Sequence, residues 1–183
     1  MPSKIRLYFS KELKANLLSN LSIEQSHYIK NVMRLKPGDT IALFNSKNGE
    51  WIAKIVNHNK ESTEFKVEKL IKSKKLENDL WLAFSPIKKN PLDMMMQKTT
   101  ELGVQKFVPI LSERTIVKEI NITRLQKIIV EASEQSNRIS VPEIENLEPL
   151  KFFLDKFPNE GSLIFCDINC DKSDLKNILS KKK

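Results

Sequence analysis

Between Leu80 and Leu111 the sequence reads as apolar run, helix, apolar run, and this order restricts the fold more than any other feature. The first run, LWLAF, stops at Ser85-Pro86 and shows no polar alternation, so it predicts a strand buried on both faces, as in a parallel sheet. Asn90-Pro91 predicts a helix start, with Asn90 as N-cap and Pro91 in the first helical position. Leu102-Gly103 predicts its end, because glycine takes the left-handed cap freely. Between these signals Leu92, Met95, Met96, Thr99 and Leu102 recur at i, i+3, i+4 and i+7, which makes the methionines core filler. The second strand, VQKFVPIL, follows at once. Strand, helix and strand within about 30 residues form a βαβ unit with a right-handed crossover. A second helix from about Ile122 to Ser136, with Leu125, Ile128, Ile129 and Ala132 on one side, and a buried strand at 163–167, LIFCD, extend it. The expectation is an open α/β sheet of at least three strands.

The chain before Leu80 has a different character. TIALF, EWIAKIV and STEFKVEKL are short runs separated by turn signals, and Trp51, Ala53, Ile55 and then Phe65, Val67 alternate as half-buried strands do. They predict a β-meander. Upstream, Ile23, Tyr28, Ile29, Val32, Met33 and Leu35 fall near helical spacing until Lys36-Pro37-Gly38-Asp39 stops them. A small all-β barrel with one inserted helix fits this pattern. The charged stretch at 71–79, IKSKKLEND, has no hydrophobic period and predicts a boundary between a domain at 1–72 and one at 76–183.

Charge divides along the same line. Residues 1–75 hold 15 Lys+Arg against 7 Asp+Glu, while residues 76–183 hold 16 of each, so the whole net charge of +8 sits in the N-terminal part. Such a patch binds phosphate or keeps a small domain soluble, and composition alone does not choose between them. No apolar run reaches the roughly 20 residues of a membrane span, and MPSKIRLYFSKEL lacks the apolar centre of a secretion signal, so a cytoplasmic protein is expected. Cys166 and Cys170 with His27 and His58 do not make a four-ligand zinc set, and two reduced thiols are the simpler reading.

Three segments carry polar residues that folding does not demand. In HYIKNVMRLKPGD, His27 and Arg34 are seven residues apart, two helical turns, and share a predicted face with Lys30 and Asn31, suited to phosphate or equally to water. In KTTELGV, Lys98 and Glu101 are i, i+3 partners that can form a surface ion pair. Arg114 follows VQKFVPIL, and open α/β sheets place ligands at the carboxyl ends of their strands. In EASEQSNRISVP, Glu134, Gln135 and Arg138 close a helix, where Arg138 can also serve the free carbonyls.

Taken together, IRLYF, HYIKNVMRLKPGDTIALF, SPIKKNPLDMMMQKTTELGVQKFVPILSERTIV and EASEQSNRISVPEI resemble the ribosomal RNA small subunit methyltransferase E family across essentially the whole chain. The resemblance implies a PUA-like β-barrel that grips RNA and a SPOUT-type α/β domain that makes 3-methyluridine in 16S rRNA. It implies S-adenosylmethionine as methyl donor, a homodimer, and 16S rRNA or the small ribosomal subunit as partner. Arg114, Gln135 and Arg138 become candidates for facing the target uracil, with Lys98 and Glu101 in support, and Arg6, His27, Arg34, Lys36 and Lys98 for holding RNA. No general base is assignable.

The family pattern continues into a Gly-Pro-Glu-Gly-Gly loop and later Arg and Glu-Thr motifs that form the knot and hold the cofactor. This sequence has Gly38, Gly49, Gly103 and Gly161 and no glycine cluster, so the expected sheet is incomplete and the cofactor-binding residues are unknown. Alternatives are an RNA-binding remnant without catalysis, a fragment of a split gene, and a globular protein unrelated to RNA.

Overall fold

The computed structural model describes residues 5–74 and 78–166. Cys170, Asp167 and the expected second-domain start at Leu76 lie outside the described residues. Residues 1–150 form one compact unit and residues 151–183 another.

In the first unit, β1 (Arg6–Tyr8), β2 (Leu18–Asn20), β3 (Thr40–Asn45), β4 (Gly49–His58) and β5 (Thr63–Lys72) form a sheet of order β1-β3-β4-β5-β2. The three long strands are the expected antiparallel meander. Ala53 lies opposite Val67 and Ile55 opposite Phe65. All four side chains are buried, with Ile29, Ile41, Leu43 and Leu13 in the same core. Burying a side chain such as Phe65 contributes about 1.5–3 kcal/mol. β1 adds parallel to β3, and β2 adds antiparallel to β5.

The expected barrel does not close by backbone pairing: among the described residues no ladder joins β1 to β2. Both edge strands are three residues long. The free edge of β1 is instead capped by a side chain, since the Tyr8 N–H donates to Glu134 Oε1 at 2.8 Å.

The inserted helix is shorter than its apolar spacing predicts. Ser22 and Gln25 make a reciprocal capping box that starts α1 (Ile23–His27). Tyr28–Val32 then form a wider π turn, closed by Met33 N donating to Tyr28 O at 2.9 Å, and Arg34 sits in the left-handed region at φ +55°. Seven residues make two turns only at 3.6 residues per turn. His27 and Arg34 therefore do not share the predicted helical face. Of the apolar set, Ile29 is fully buried, whereas Ile23 and Val32 face water.

The second half of this unit is the predicted α/β arrangement: β6 (Trp81–Phe84), α2 (Lys89–Glu101), β7 (Lys106–Leu111), α3 (Ile122–Gln135), β8 (Glu143–Ile144) and β9 (Glu148–Pro149). β7 is central, between β6 and β8, and also pairs with β9, all parallel. Leu92, Met96, Phe107, Leu125 and Ile129 fill a core of their own. α2 begins at Lys89, ahead of the predicted Pro91, and Lys88 precedes it without a side-chain cap. Proline is tolerated there because first-turn amides have no partner within the helix. Gly103, at φ +104°, ends α2 as expected, but Leu102 is 80% exposed and does not join the core. Asn121 caps α3 by accepting from Arg124 N at 2.9 Å.

α4 (Leu150–Asp155) leads into the second unit, where the Phe153 and Phe157 rings meet edge to face at 5.8 Å. The strand predicted at 163–167 is not formed in its described part. Leu163, Ile164 and Phe165 are exposed, and residues 161–166 contain no helix or strand. A strand buried on both faces needs apolar cover, and Leu163, Ile164 and Phe165 have little of it.

Candidate functional site

The basic N-terminal segment presents His27, Lys30, Arg34 and Lys36 on its surface. The loop that carries the last two is pinned from below. His58 Nε2 lies 2.9 Å from Leu35 O, between Arg34 and Lys36, and its Nδ1 lies 2.9 Å from Thr63 Oγ1. A carbonyl only accepts, so Nε2 carries a proton. Lys36 N donates to Asp39 Oδ2 at 2.7 Å, and Gly38 N donates to Ile55 O at 2.8 Å. Both cations thus project from a braced turn, which lowers the entropy lost when they grip an anion.

Arg6 is placed differently. Its side chain is 7% exposed and lies over the Phe44 ring, 3.6 Å from the centroid. Arg6 Nε is 3.2 Å from Glu50 Oε1, an ion pair not aligned as a hydrogen bond, and Glu50 Oε2 is 3.3 Å from Lys72 Nζ. Nη1 donates to Ser133 O at 2.8 Å and Glu134 O at 3.3 Å, and Nη2 donates to Arg138 O. Burial pushes the guanidinium pKa down and Glu50 pushes it back. The phosphate-holding role read for Arg6 does not match this geometry, because the guanidinium faces protein carbonyls.

Arg138 is also turned inward. Nη1 donates to Thr100 O at 2.6 Å and Val104 O at 2.8 Å, and Nη2 to Ser140 Oγ at 2.8 Å. It braces the end of α2 against the turn after α3, which is a different arrangement from the target-facing one expected. Gln135 is exposed and donates to Glu131 Oε1 at 3.2 Å. Lys98 pairs with Glu101 at 2.9 Å on the exposed face of α2, the surface ion pair its spacing allows. Arg114 is exposed in the turn after β7, at the carboxyl edge of the sheet.

Two hollows lie beside α3. One, of about 1380 Å³, runs between β1, α1 and α3 and is lined by Tyr8, Lys11, Tyr28, Lys72, Lys127 and Gln135, among others. The other, of about 310 Å³, separates α2 from α3 and is lined by Asp93, Gln97, Glu131 and Gln135. Gln135 borders both. Arg6 and Gln135 both line the first, whereas Arg34, Lys36, Lys98 and Arg114 line neither of the two.

Sequence reasoning passed over two features. Ser85, at the end of β6, meets Ser112 hydroxyl to hydroxyl at 3.2 Å, and Ser112 meets Thr115 at 2.9 Å, which ties the carboxyl ends of β6 and β7 together beside Arg114. The signal was a serine just past each strand. The second is the bond from the Tyr8 N–H to half-buried Glu134, a residue noted in the sequence only as part of a helix end. Burial raises its carboxyl pKa, while the Tyr8 N–H and the Arg6 charge pull it down.

Two family models match the chain. Residues 72–183 match the family described as RNA methyltransferase domain, and residues 22–68 match the RNA methyltransferase PUA domain. A Rickettsia conorii protein named ribosomal RNA small subunit methyltransferase E is 32% identical over 155 residues, which is 84% of this chain and 64% of that protein. Its namesake from Buchnera aphidicola subsp. Schizaphis graminum is 28% identical over 87% of this chain and 68% of its own length. Among solved structures, ribosomal RNA small subunit methyltransferase E from Neisseria gonorrhoeae, bound to S-adenosyl methionine, superposes with a TM-score of 0.83 at 27% identity, covering 94% of this chain and 74% of that one. A putative methyltransferase from Legionella pneumophila with bound cofactor gives 0.78 at 27% identity, covering 91% and 72%. The chain thus spans 64% of the length of its Rickettsia relative and 52% of one from Synechocystis.

Gly38, Gly49, Gly103 and Gly161 stand singly in the sequence, so the described residues include no glycine-rich loop to cradle such a cofactor. No residue is therefore assigned to hold it. With a PUA-like sheet before a parallel α/β sheet, and a family match over more than half its residues, this chain belongs to the RNA methyltransferase family that includes the relatives named ribosomal RNA small subunit methyltransferase E.

Proposed function

We propose that the protein acts in methylation of uracil N3 in 16S rRNA, with S-adenosylmethionine as donor and with residues 1–72 and 76–183 as its RNA-holding and methyltransferase parts. The observation that carries this reading is the pairing of an exposed, braced basic turn, Arg34 and Lys36, with a parallel sheet whose carboxyl edge presents Arg114. His27 and Lys98 add exposed donors on each part. The cytoplasm, the small ribosomal subunit as partner and a homodimer belong to the same proposal.

Methylation at N3 requires loss of a weakly acidic proton and stabilisation of the uracil anion. Arg114 supplies a cation and Gln135 an amide donor, once its bond to Glu131 is exchanged for one to the base. Arg138 serves this arrangement indirectly by fixing the turn next to Gln135. The target base must be single-stranded or splayed from its helix to be reached.

The test is transfer of a labelled methyl group from S-adenosylmethionine to small subunits isolated without the modification, followed by nucleoside mass spectrometry. Formation of 3-methyluridine is expected. Methylation at another base, or none with the donor demonstrably bound, would overturn the reading.

A second reading is that the chain binds RNA without catalysis. Calorimetry separates the two: rRNA affinity without any heat from S-adenosylmethionine would support the second.

A further inference from the structure

A helix leaves its last carbonyls without partners, and they are usually met by water or by a cap from the adjoining loop. At the end of α3 they are met by Arg6, whose position in the chain is more than 120 residues away. Its guanidinium reaches Ser133 O, Glu134 O and Arg138 O together. The positive charge also sits where the helix dipole is negative. From the sheet side the same group is held by the Phe44 ring and by Glu50.

The contact is reciprocal. Glu134, one of the capped residues, returns a bond from its side chain to the Tyr8 N–H on the open edge of β1. Gln25 Nε2 donates to Tyr8 O at 2.7 Å, so α1 joins the same junction. Beyond it, Arg138 carries the connection to Thr100 and Val104 at the end of α2. A continuous polar path therefore leads from the N-terminal sheet through Arg6 to the segment that contains Gln135.

We propose that Arg6 is a positioning residue that locks the basic sheet against the C-terminal end of α3, so that one RNA meets both parts in a fixed relative placement. The placement rests on the RNA-binding reading above; the lock itself does not. Lysine cannot do the same work, because a point charge on a flexible stem does not hold three carbonyls as a planar fork does. A residue that merely neutralised phosphate would tolerate lysine.

The experiment compares the full chain with Arg6→Lys and Arg6→Met by two readouts. The first is hydrogen exchange at the Tyr8 amide, which reports the junction directly, with Ala42 and Phe44 amides in β3 as controls. The second is affinity for two RNAs: a stem-loop of about 16 base pairs, long enough to span both parts, and a single strand of about eight nucleotides that reaches the sheet alone.

Both variants should speed Tyr8 exchange about tenfold or more while the β3 amides keep their protection. Both should weaken stem-loop binding about tenfold and leave the short strand unchanged, because what is lost is simultaneous engagement. Unchanged Tyr8 exchange would overturn the lock. Equal losses on both RNAs with Arg6→Met, restored by Arg6→Lys, would make Arg6 a phosphate contact and overturn the proposal. If the unaltered chain bound neither RNA, the RNA reading would fall, and Tyr8 exchange would still decide the lock. Should Arg6→Met unfold the chain, Arg6→Lys carries both readouts.

Discussion

The backbone N–H of Tyr8 donates to the side chain of Glu134 at 2.8 Å, so the edge of a β-sheet is closed by a helix more than 120 residues later in the chain. An open strand edge invites pairing with other chains, and this carboxylate covers one of its donors. The cost is burial of an ionisable group.

That cost has a pH signature. The Glu134 carboxyl pKa is raised, mainly by burial, so the folded protein holds this proton more tightly than the unfolded chain. Its contribution to stability is complete below the unfolded carboxyl range, about pH 4.3, and is lost as pH rises through the higher folded value. Glu134→Gln keeps an oxygen for the Tyr8 amide and cannot ionise. Urea unfolding across this interval should give a flatter stability profile for the variant; parallel profiles would show that Glu134 is not the group responsible.

Two glycines with positive φ should respond unequally to alanine. Gly49 sits at φ +84°, and a Cβ there would stand 2.3 Å from Lys72 O, so backbone must move. Gly38 sits at φ +99° with nothing within 4 Å. Gly38→Ala should cost about 1–2 kcal/mol from conformation alone. Gly49→Ala adds overpacking and should cost about 1–3 kcal/mol more. Thermal and denaturant unfolding of the pair decide this, and equal losses would remove the steric argument.

Arg138→Ala leaves the carbonyls of Thr100 and Val104 buried without their charged donor. A destabilisation of about 3 kcal/mol or more is expected. Arg138→Lys should recover only part of it, because one ammonium cannot reproduce the fork. A variant as stable as the parent would mean that these carbonyls find water.

If the braced turn grips RNA, Arg34→Ala and Lys36→Ala should each weaken binding to rRNA fragments and lower the slope of log affinity against log salt by about 0.7–0.9. His58→Ala, which removes the pin on Leu35 O, should weaken binding less and keep the slope, since no phosphate contact is deleted. Titrations at several salt concentrations separate the two effects. Unchanged affinity in both charge variants would place the RNA surface elsewhere.

The residues legible in advance were those governed by local rules. Ala53, Ile55, Phe65 and Val67 alternate as a meander must, and Gly103 ends α2 where a left-handed residue is needed. Leu102 was misread because periodicity gives a helical face without saying how wide its cover is. His27 and Arg34 were misread because their spacing assumes uniform turns, and a π turn intervenes.

Sequence alone determined the central meander, the strand-helix-strand unit with the helix after it, the confinement of excess charge to the first 75 residues and, through four motif blocks, the family. These follow from pattern along the chain, where neighbours in sequence are neighbours in space. Tertiary structure alone decided which arginines are available. Arg6, Arg34, Arg114 and Arg138 look alike as side chains, yet Arg34 and Arg114 face solvent while Arg6 and Arg138 are turned onto backbone carbonyls. The reason is physical: a guanidinium goes where unpaired buried acceptors converge, and that convergence arises only when α2, α3 and β1 have packed.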